Sequence, residues 1–136
     1  MSFTMYGADL LLRAVFTPDV VTLPTSVQVA LTQTVPPRNA TADQLNEPNP
    51  ATNYARQTYL LSSLHWAPNG FGALYNTIKV SFPQCTTTWG LLLGWALVEP
   101  TSGQLLNAGQ LLDPIATVTG MIPVMDVATI VLGIDV

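Results

Sequence analysis

The chain has one histidine and one cysteine, so the chemistry open to its side chains is narrow. His65 can act as a general base only with a nucleophile and an orienting acid around it. It stands beside Trp66 just before a turn signal, and no Gly-x-Ser-x-Gly frames a serine for it. A structural or surface role is expected. Cys85 follows Pro83-Gln84 and precedes a threonine run. No cation adjoins it in sequence, and thiolate chemistry depends on such a neighbour. A buried, inert thiol is expected. One His and one Cys cannot complete a structural zinc site.

The acids are Asp9, Asp19, Asp43, Glu47, Glu99, Asp113, Asp126 and Asp135. They form no Asp-x-Asp pair and no calcium loop. A facing pair of carboxylates, as a glycosidase needs, is a matter of three-dimensional placement. Most of these acids sit beside proline or at strand ends, where turns and solvation account for them. The glycines are isolated and make no phosphate-cradling loop. Trp89 and Trp95 share one face of an apolar strand with leucines, which points to core rather than a sugar platform. Trp66, beside a turn, is the one tryptophan expected to contact a ligand. The reading is a non-enzyme with no catalytic, cofactor or metal site.

The composition carries more than the motifs. Charged residues make up 9% of the 136, against about 25% in an ordinary soluble domain. Polar uncharged residues, proline and glycine take their place. A free monomer normally wears Lys and Glu on its surface to stay soluble. A chain without them is expected to have much of its surface covered by other chains. The formal net charge is −4, and the four cations, Arg13, Arg38, Arg56 and Lys79, are scattered. Sequence-independent nucleic-acid binding needs clustered cations and is excluded. A basic membrane-surface helix is excluded for the same reason. The apolar run Trp89–Val98 is far short of a membrane span. Met1–Phe16 lacks the pattern of a signal peptide. The sequon Asn39-Ala40-Thr41 is read as chance, and the chain as soluble and intracellular when made.

The elements follow from periodicity. A single domain over 1–136 is the default at this length. Its N-terminal helical segment is 1–18, with apolar spacing over Thr4–Phe16, a cap at Ser2 or Thr4, and Pro18 as a stop. This helix is expected to close one end of the core. The sharper alternative is an arm that docks on a neighbouring subunit. Ser26–Gln33 alternates, with Val27, Val29 and Leu31 inward. The Pro/Asn-rich stretch 35–53 reads as a long surface loop that reaches a neighbour or the outer surface. Strands are expected at Tyr54–Leu61 and Tyr75–Phe82, the latter with Ile78, Val80 and Phe82 inward. Trp66–Gly70 is a turn between them.

Trp89–Val98 is apolar on both faces and must be covered twice. One face is Trp89, Leu91, Leu93, Trp95 and Leu97. The other holds Gly90, Leu92, Gly94, Ala96 and Val98, with the N-terminal helix or a partner subunit as its expected cover. Glu99–Gly103 is a hairpin turn leading into Gln104–Leu112, and Ile115–Val118 is a possible further strand. Asp126–Val136 reads as a last strand with Ala128, Ile130, Leu132, Ile134 and Val136 on one face. Seven or eight strands and one helix make the fold mainly β, an antiparallel β-sandwich or jelly-roll-like domain with one short N-terminal helix.

Several short motifs carry a family likeness. They are Leu11-Leu12 in the helix, Val27, Val29 and Leu31, then Asn53-Tyr54-Ala55-Arg56-Gln57 after the loop. Ile78, Phe82-Pro83, Trp89-Gly90, Gly103-x-Leu105-Leu106 and Gly109 follow. Together they resemble a family of small tailed-phage virion proteins, often labelled tail-fibre or structural proteins. The chain departs from that pattern at Met121–Met125, where Pro123 interrupts a plain strand. The resemblance implies a virion component without enzymatic activity, assembled in the host cytoplasm. With the depleted charge, it leads to a capsid decoration (cement) protein as the first expectation. Its partners would be the major capsid protein or other virion proteins, in a homo-oligomer, a trimer by preference. The alternative is a tail-fibre or baseplate subunit, or a host receptor-binding module, showing aromatics such as Trp66, Phe71 and Tyr75 at a loop tip. A stand-alone β-sandwich enzyme or lectin is disfavoured.

Overall fold

The computed structural model describes residues 2–17, 23–62 and 64–133. The strands are β1 (Ser2–Phe3), β2 (Ser26–Thr32), β3 (Gln57–Leu60), β4 (Trp66–Pro68), β5 (Ala73–Asn76), β6 (Val80–Ser81), β7 (Leu91–Val98), β8 (Leu105–Ala116), β9 (Val124–Met125) and β10 (Val131–Gly133). The helix α1 spans Met5–Phe16. A five-stranded sheet runs in the order β1-β8-β7-β2-β3, a three-stranded one β10-β5-β4, and β6 pairs with β9. Every pairing is antiparallel. The fold is mainly β with one helix, as the alternation of apolar residues requires.

The main core lies between the large sheet and the two small ones. Val27, Val29 and Leu31 of β2 meet Trp95 and Leu97 of β7 on one side. Trp66, Val80, Met125 and Ile130 close it from the other. Fully burying each such side chain stabilises the fold by about 1.5–3 kcal/mol. Cys85, Trp89 and Phe82 sit in the same cluster. The hairpin at Glu99–Gly103 forms where the turn residues place it, with Val98 opposite Leu105.

The faces of β7 change at a break in its register. The β7–β8 register shifts between Leu92 and Gly94 and again between Leu97 and Val98. From the Leu92–Ile115 pair to the Gly94–Gln110 pair β7 advances two residues and β8 five, so the surplus residues lie in β8 and the ladder is disrupted there. Leu92, Trp95 and Leu97 point into the main core, and Leu91 is exposed. This corrects the strict alternation, which put Leu91 inside and Leu92 on the opposite face. Only Gly94, Ala96 and Val98 keep the predicted second face.

The cover of that second face is also different from the expectation. Ala96, Val98, Ala30, Leu105 and Ala108 are covered by Ala40, Ala42 and Leu45 of the 35–53 loop, not by α1. The loop lies back on its own sheet rather than reaching outward. The contact is made largely of alanines, and a buried methylene contributes only about 0.8 kcal/mol. Polar ties therefore matter: Gln33 N donates to Asn46 O at 2.8 Å, and Met5 N to Arg38 O at 3.3 Å. Gly94 permits the close approach, since a Cβ there would lie 2.6 Å from Thr32 Oγ1 and 2.9 Å from Thr34 O.

α1 is capped by Thr4, whose hydroxyl accepts from Gly7 N at 3.1 Å and donates to Leu105 O. Gly7 is its one buried residue. A side chain at Gly7 would run into the Leu106 carbonyl, so the helix touches β8 backbone to backbone. The remaining apolar stripe is largely uncovered, with Phe16 78% exposed.

Three further expectations change. Trp66–Pro68 is a strand, and the turn comes after it. Tyr75–Phe82 is broken at Thr77–Lys79 into β5 and β6, which leaves Ile78 exposed while Val80 and Phe82 are buried. The break is made by Asn76, fully buried, whose Nδ2 donates to Ile78 O and Asp126 O at 3.0 Å each and whose Oδ1 accepts from Ile130 N at 2.9 Å. The same side chain shapes the turn at Asp126–Ile130, where Ala128 adopts φ 63°. The expected last strand, 126–136, is therefore reduced to β10, with Ala128 exposed in the turn before it and residues 134–136 outside the described residues; β9 precedes it. Ile115 and Ala116 belong to β8 rather than to a separate strand.

Candidate interaction surface

The residues singled out for chemistry are held in structural roles. Ser62 Oγ lies 2.8 Å from His65 Nδ1, and His65 N also donates to Ser62 O at 3.0 Å. Both contacts close one short turn. The ring packs edge-on against Tyr59 at 5.2 Å, and the contacts of the side chain include no carboxylate among the described residues. Cys85 is buried, and burial pushes its thiol pKa up, against nucleophilic use. Among the described residues no three His, Cys, Asp or Glu side chains gather as a metal site. No described helix is long and apolar enough to cross a membrane.

Trp89 and Trp95 are core residues, as their strand pattern indicated. Trp89 Nε1 donates to Thr52 O at 3.0 Å. Trp66 is a correction: it is buried in β4, edge-on to Tyr59 at 5.3 Å, rather than displayed at a turn. Of the three aromatics expected at a tip, only Phe71 is fully presented, 92% exposed in the turn between β4 and β5.

The acids and cations mostly satisfy one another. Arg56 Nε and Nη2 hold the two Glu47 oxygens at 2.9 and 2.8 Å. The Tyr54 hydroxyl donates to Glu47 Oε1 at 2.7 Å and accepts from Leu31 N at 3.1 Å. Burial, reinforced by the Glu47 carboxylate, pushes the Tyr54 pKa far up, so the hydroxyl stays a donor. The hydrogen bond to Glu47 raises the Arg56 pKa further. Arg13 pairs with Asp9 at 3.8 Å and Lys79 with Asp126 at 3.9 Å, both exposed. Glu99 folds over its own hairpin turn, accepting from the Ser102 hydroxyl, from Thr101 N at 3.0 Å and from Ser102 N at 2.6 Å.

With the charges so used, the surface left for recognition is apolar. Met5, Leu12, Val15 and Phe16 of α1 are exposed along one short helix. Beside the helix lies a hollow of about 430 Å³, floored by Val27, Leu97 and Asn107 and walled by Leu10, Leu11 and Leu132. Composition foretold an uncharged surface but could not place it. The signal available in the sequence was the helix's own apolar stripe, which is largely exposed among the described residues.

The fold is thus mainly β and antiparallel, with exposed apolar residues along its helix α1. The chain belongs to the Gp80 family, described as podophage GP4 fiber I protein gp80, which residues 2–133 match. It is thus a member of a family of tailed-phage virion structural proteins, as the short motifs suggested. No curated protein sequence matches the chain.

Proposed function

We propose that the chain is a structural subunit of a phage tail fibre, without catalytic duty, that works by packing against copies of itself and other virion proteins. The single observation that carries the fibre assignment is the family match over residues 2–133, whose description is that of a fibre protein. It favours the tail-fibre alternative over the capsid-cement reading. The depleted charge and the exposed apolar stripe of α1 support association through uncharged surface. Exposed apolar patches of this kind commonly mark protein contacts. A receptor-binding duty would rest on Phe71 alone and is not carried by the geometry. The test is labelling of this subunit on intact particles. Label confined to the tail at low copy number is expected. Label spread over the head at high copy number would restore the cement reading.

A further inference from the structure

The buried side-chain polar atoms left without partners among the described residues belong to two residues, Asn107 and Trp66. Both line one apolar groove. It consists of three adjoining hollows of about 430, 390 and 450 Å³, all bordered by Leu132 of β10. Among the described residues no charged side chain lines any of them. Asn107 forms part of the floor, opposite Leu97 of β7 and Phe3 of β1. Its carboxamide has both a donor and an acceptor unused. Buried polar groups are nearly always satisfied, so an unpaired one calls for a partner. An uncharged apolar peptide fits this chemistry, because its backbone supplies one N–H and one C=O and its side chains fill the rest.

The same chain presents such a peptide. Pro114–Met125 contains no charged residue. Within it Val118 and Ile122 are exposed on a turn closed by Met121 N to Val118 O at 3.1 Å. Cys85 brackets the turn from behind, donating to Met121 O and accepting from Gly120 N, each at 2.8 Å. The register places this turn and the groove at opposite ends of the β7–β8 hairpin. The groove adjoins the Val98–Leu105 end, and the turn follows the Leu91–Ala116 end. At about 3.3 Å per residue, the six steps of β7 from Leu97, opposite Asn107, to Leu91, opposite Ala116, separate them by roughly 20 Å.

We propose that the Thr117–Val124 turn of one copy docks in the Asn107–Trp66 groove of a second copy. The contact is head to tail, and a heterologous contact that does not close on itself builds an open row of subunits. The choice of a second copy as occupant rests on the fibre reading. The groove and its missing partners do not.

The experiment mixes two surface variants of the full chain. Leu11→Glu places a charge on the groove wall, and Ile122→Asp places one on the turn. Each alone is expected to lose self-association at least tenfold by sedimentation, with an unchanged circular dichroism spectrum. Mixed, they are expected to form a 1:1 pair and nothing larger, because one keeps its turn and the other its groove. Should Leu11→Glu lose helix, Val15→Glu on the same wall replaces it. Either variant associating as wild type overturns the proposal, as does a mixture that forms no pair. Particle labelling tests the fibre reading separately, so the two can fail independently.

Discussion

Arg56 grips Glu47 with two parallel hydrogen bonds, Nε to Oε1 at 2.9 Å and Nη2 to Oε2 at 2.8 Å. The pair joins the foot of the 35–53 loop to the entry of β3, and so holds the cover of the sheet in place. A guanidinium matches a carboxylate as a planar fork, and an ammonium does not. Arg56→Ala is expected to lower stability by about 1.5–3 kcal/mol, the range for hydrogen bonds to charged groups. Arg56→Lys should recover only part of it. Urea unfolding measures both. A lysine variant as stable as wild type would show that charge alone suffices and that the fork has no role.

Tyr54 extends the same tie into the main core. Its hydroxyl takes Leu31 N–H where β3 no longer reaches β2, because the β2–β3 ladder ends at Val29 opposite Gln57. Tyr54→Phe leaves that buried N–H without its acceptor and removes one of the two donors to Glu47 Oε1. The expected cost is about 1–3 kcal/mol. In combination with Arg56→Ala the losses should be less than additive, since both act through Glu47. Strict additivity in the double variant would mean that Tyr54 and Arg56 act separately.

Much of the large sheet was legible in the sequence, because Val27, Val29 and Leu31 alternate without interruption and Glu99–Gly103 is rich in turn formers. The rest depends on groups distant in sequence. The register break between Leu92 and Gly94 leaves no mark on an all-apolar run, so the phase of β7 could not be read. Asn76 looked like an ordinary strand residue, yet its bonds to Asp126 O and Ile130 N fix a turn some fifty residues away. The helix stripe was visible, but not that Gly7 alone would be buried. The interaction surface was legible as a lack of charge and not as a location. Asn107 had no signal of its own, since it is unusual only for the groups that surround it.

Ala96 tests which segment covers the second face of the sheet. It is fully buried opposite Ala108 and Ala30, beneath the 35–53 loop. Ala96→Glu forces a carboxylate into a space sized for a methyl group. A loss of more than about 3 kcal/mol is expected, with the loop lifted off the sheet. Limited proteolysis should then cut within 35–53 before any other segment. If the first cuts fall in α1 instead, the loop is not the cover.

Glu99 predicts how the hairpin responds to acid. The Ser102 hydroxyl and then the Thr101 and Ser102 amides hold its carboxylate, and its pKa lies below the ordinary carboxylate range despite desolvation. A lowered folded-state pKa contributes stability above the unfolded value. That contribution disappears as pH falls through the lowered value. Glu99→Gln should therefore be less stable than wild type at neutral pH and converge with it in strong acid. Urea midpoints taken across the acid range check this. A gap that stays constant down the whole range would mean that the carboxylate's charge contributes nothing.

Asn107 gives a prediction of opposite sign. In an isolated subunit its carboxamide is buried, and neither polar end has a partner among the described residues. Such a group costs about 1–3 kcal/mol, and an apolar residue of similar size removes the cost. Asn107→Leu should therefore raise the melting temperature of the dilute protein, by about 4 °C or more. It should at the same time weaken self-association, because the docked segment loses its paired hydrogen bonds. Asn107→Asp should lower both, since it places a charge in an uncharged groove. Scanning calorimetry at low concentration and sedimentation at high concentration separate the two effects. A leucine variant that melts below wild type would show that the carboxamide is already satisfied within one chain. The groove would then have no polar group waiting for a partner.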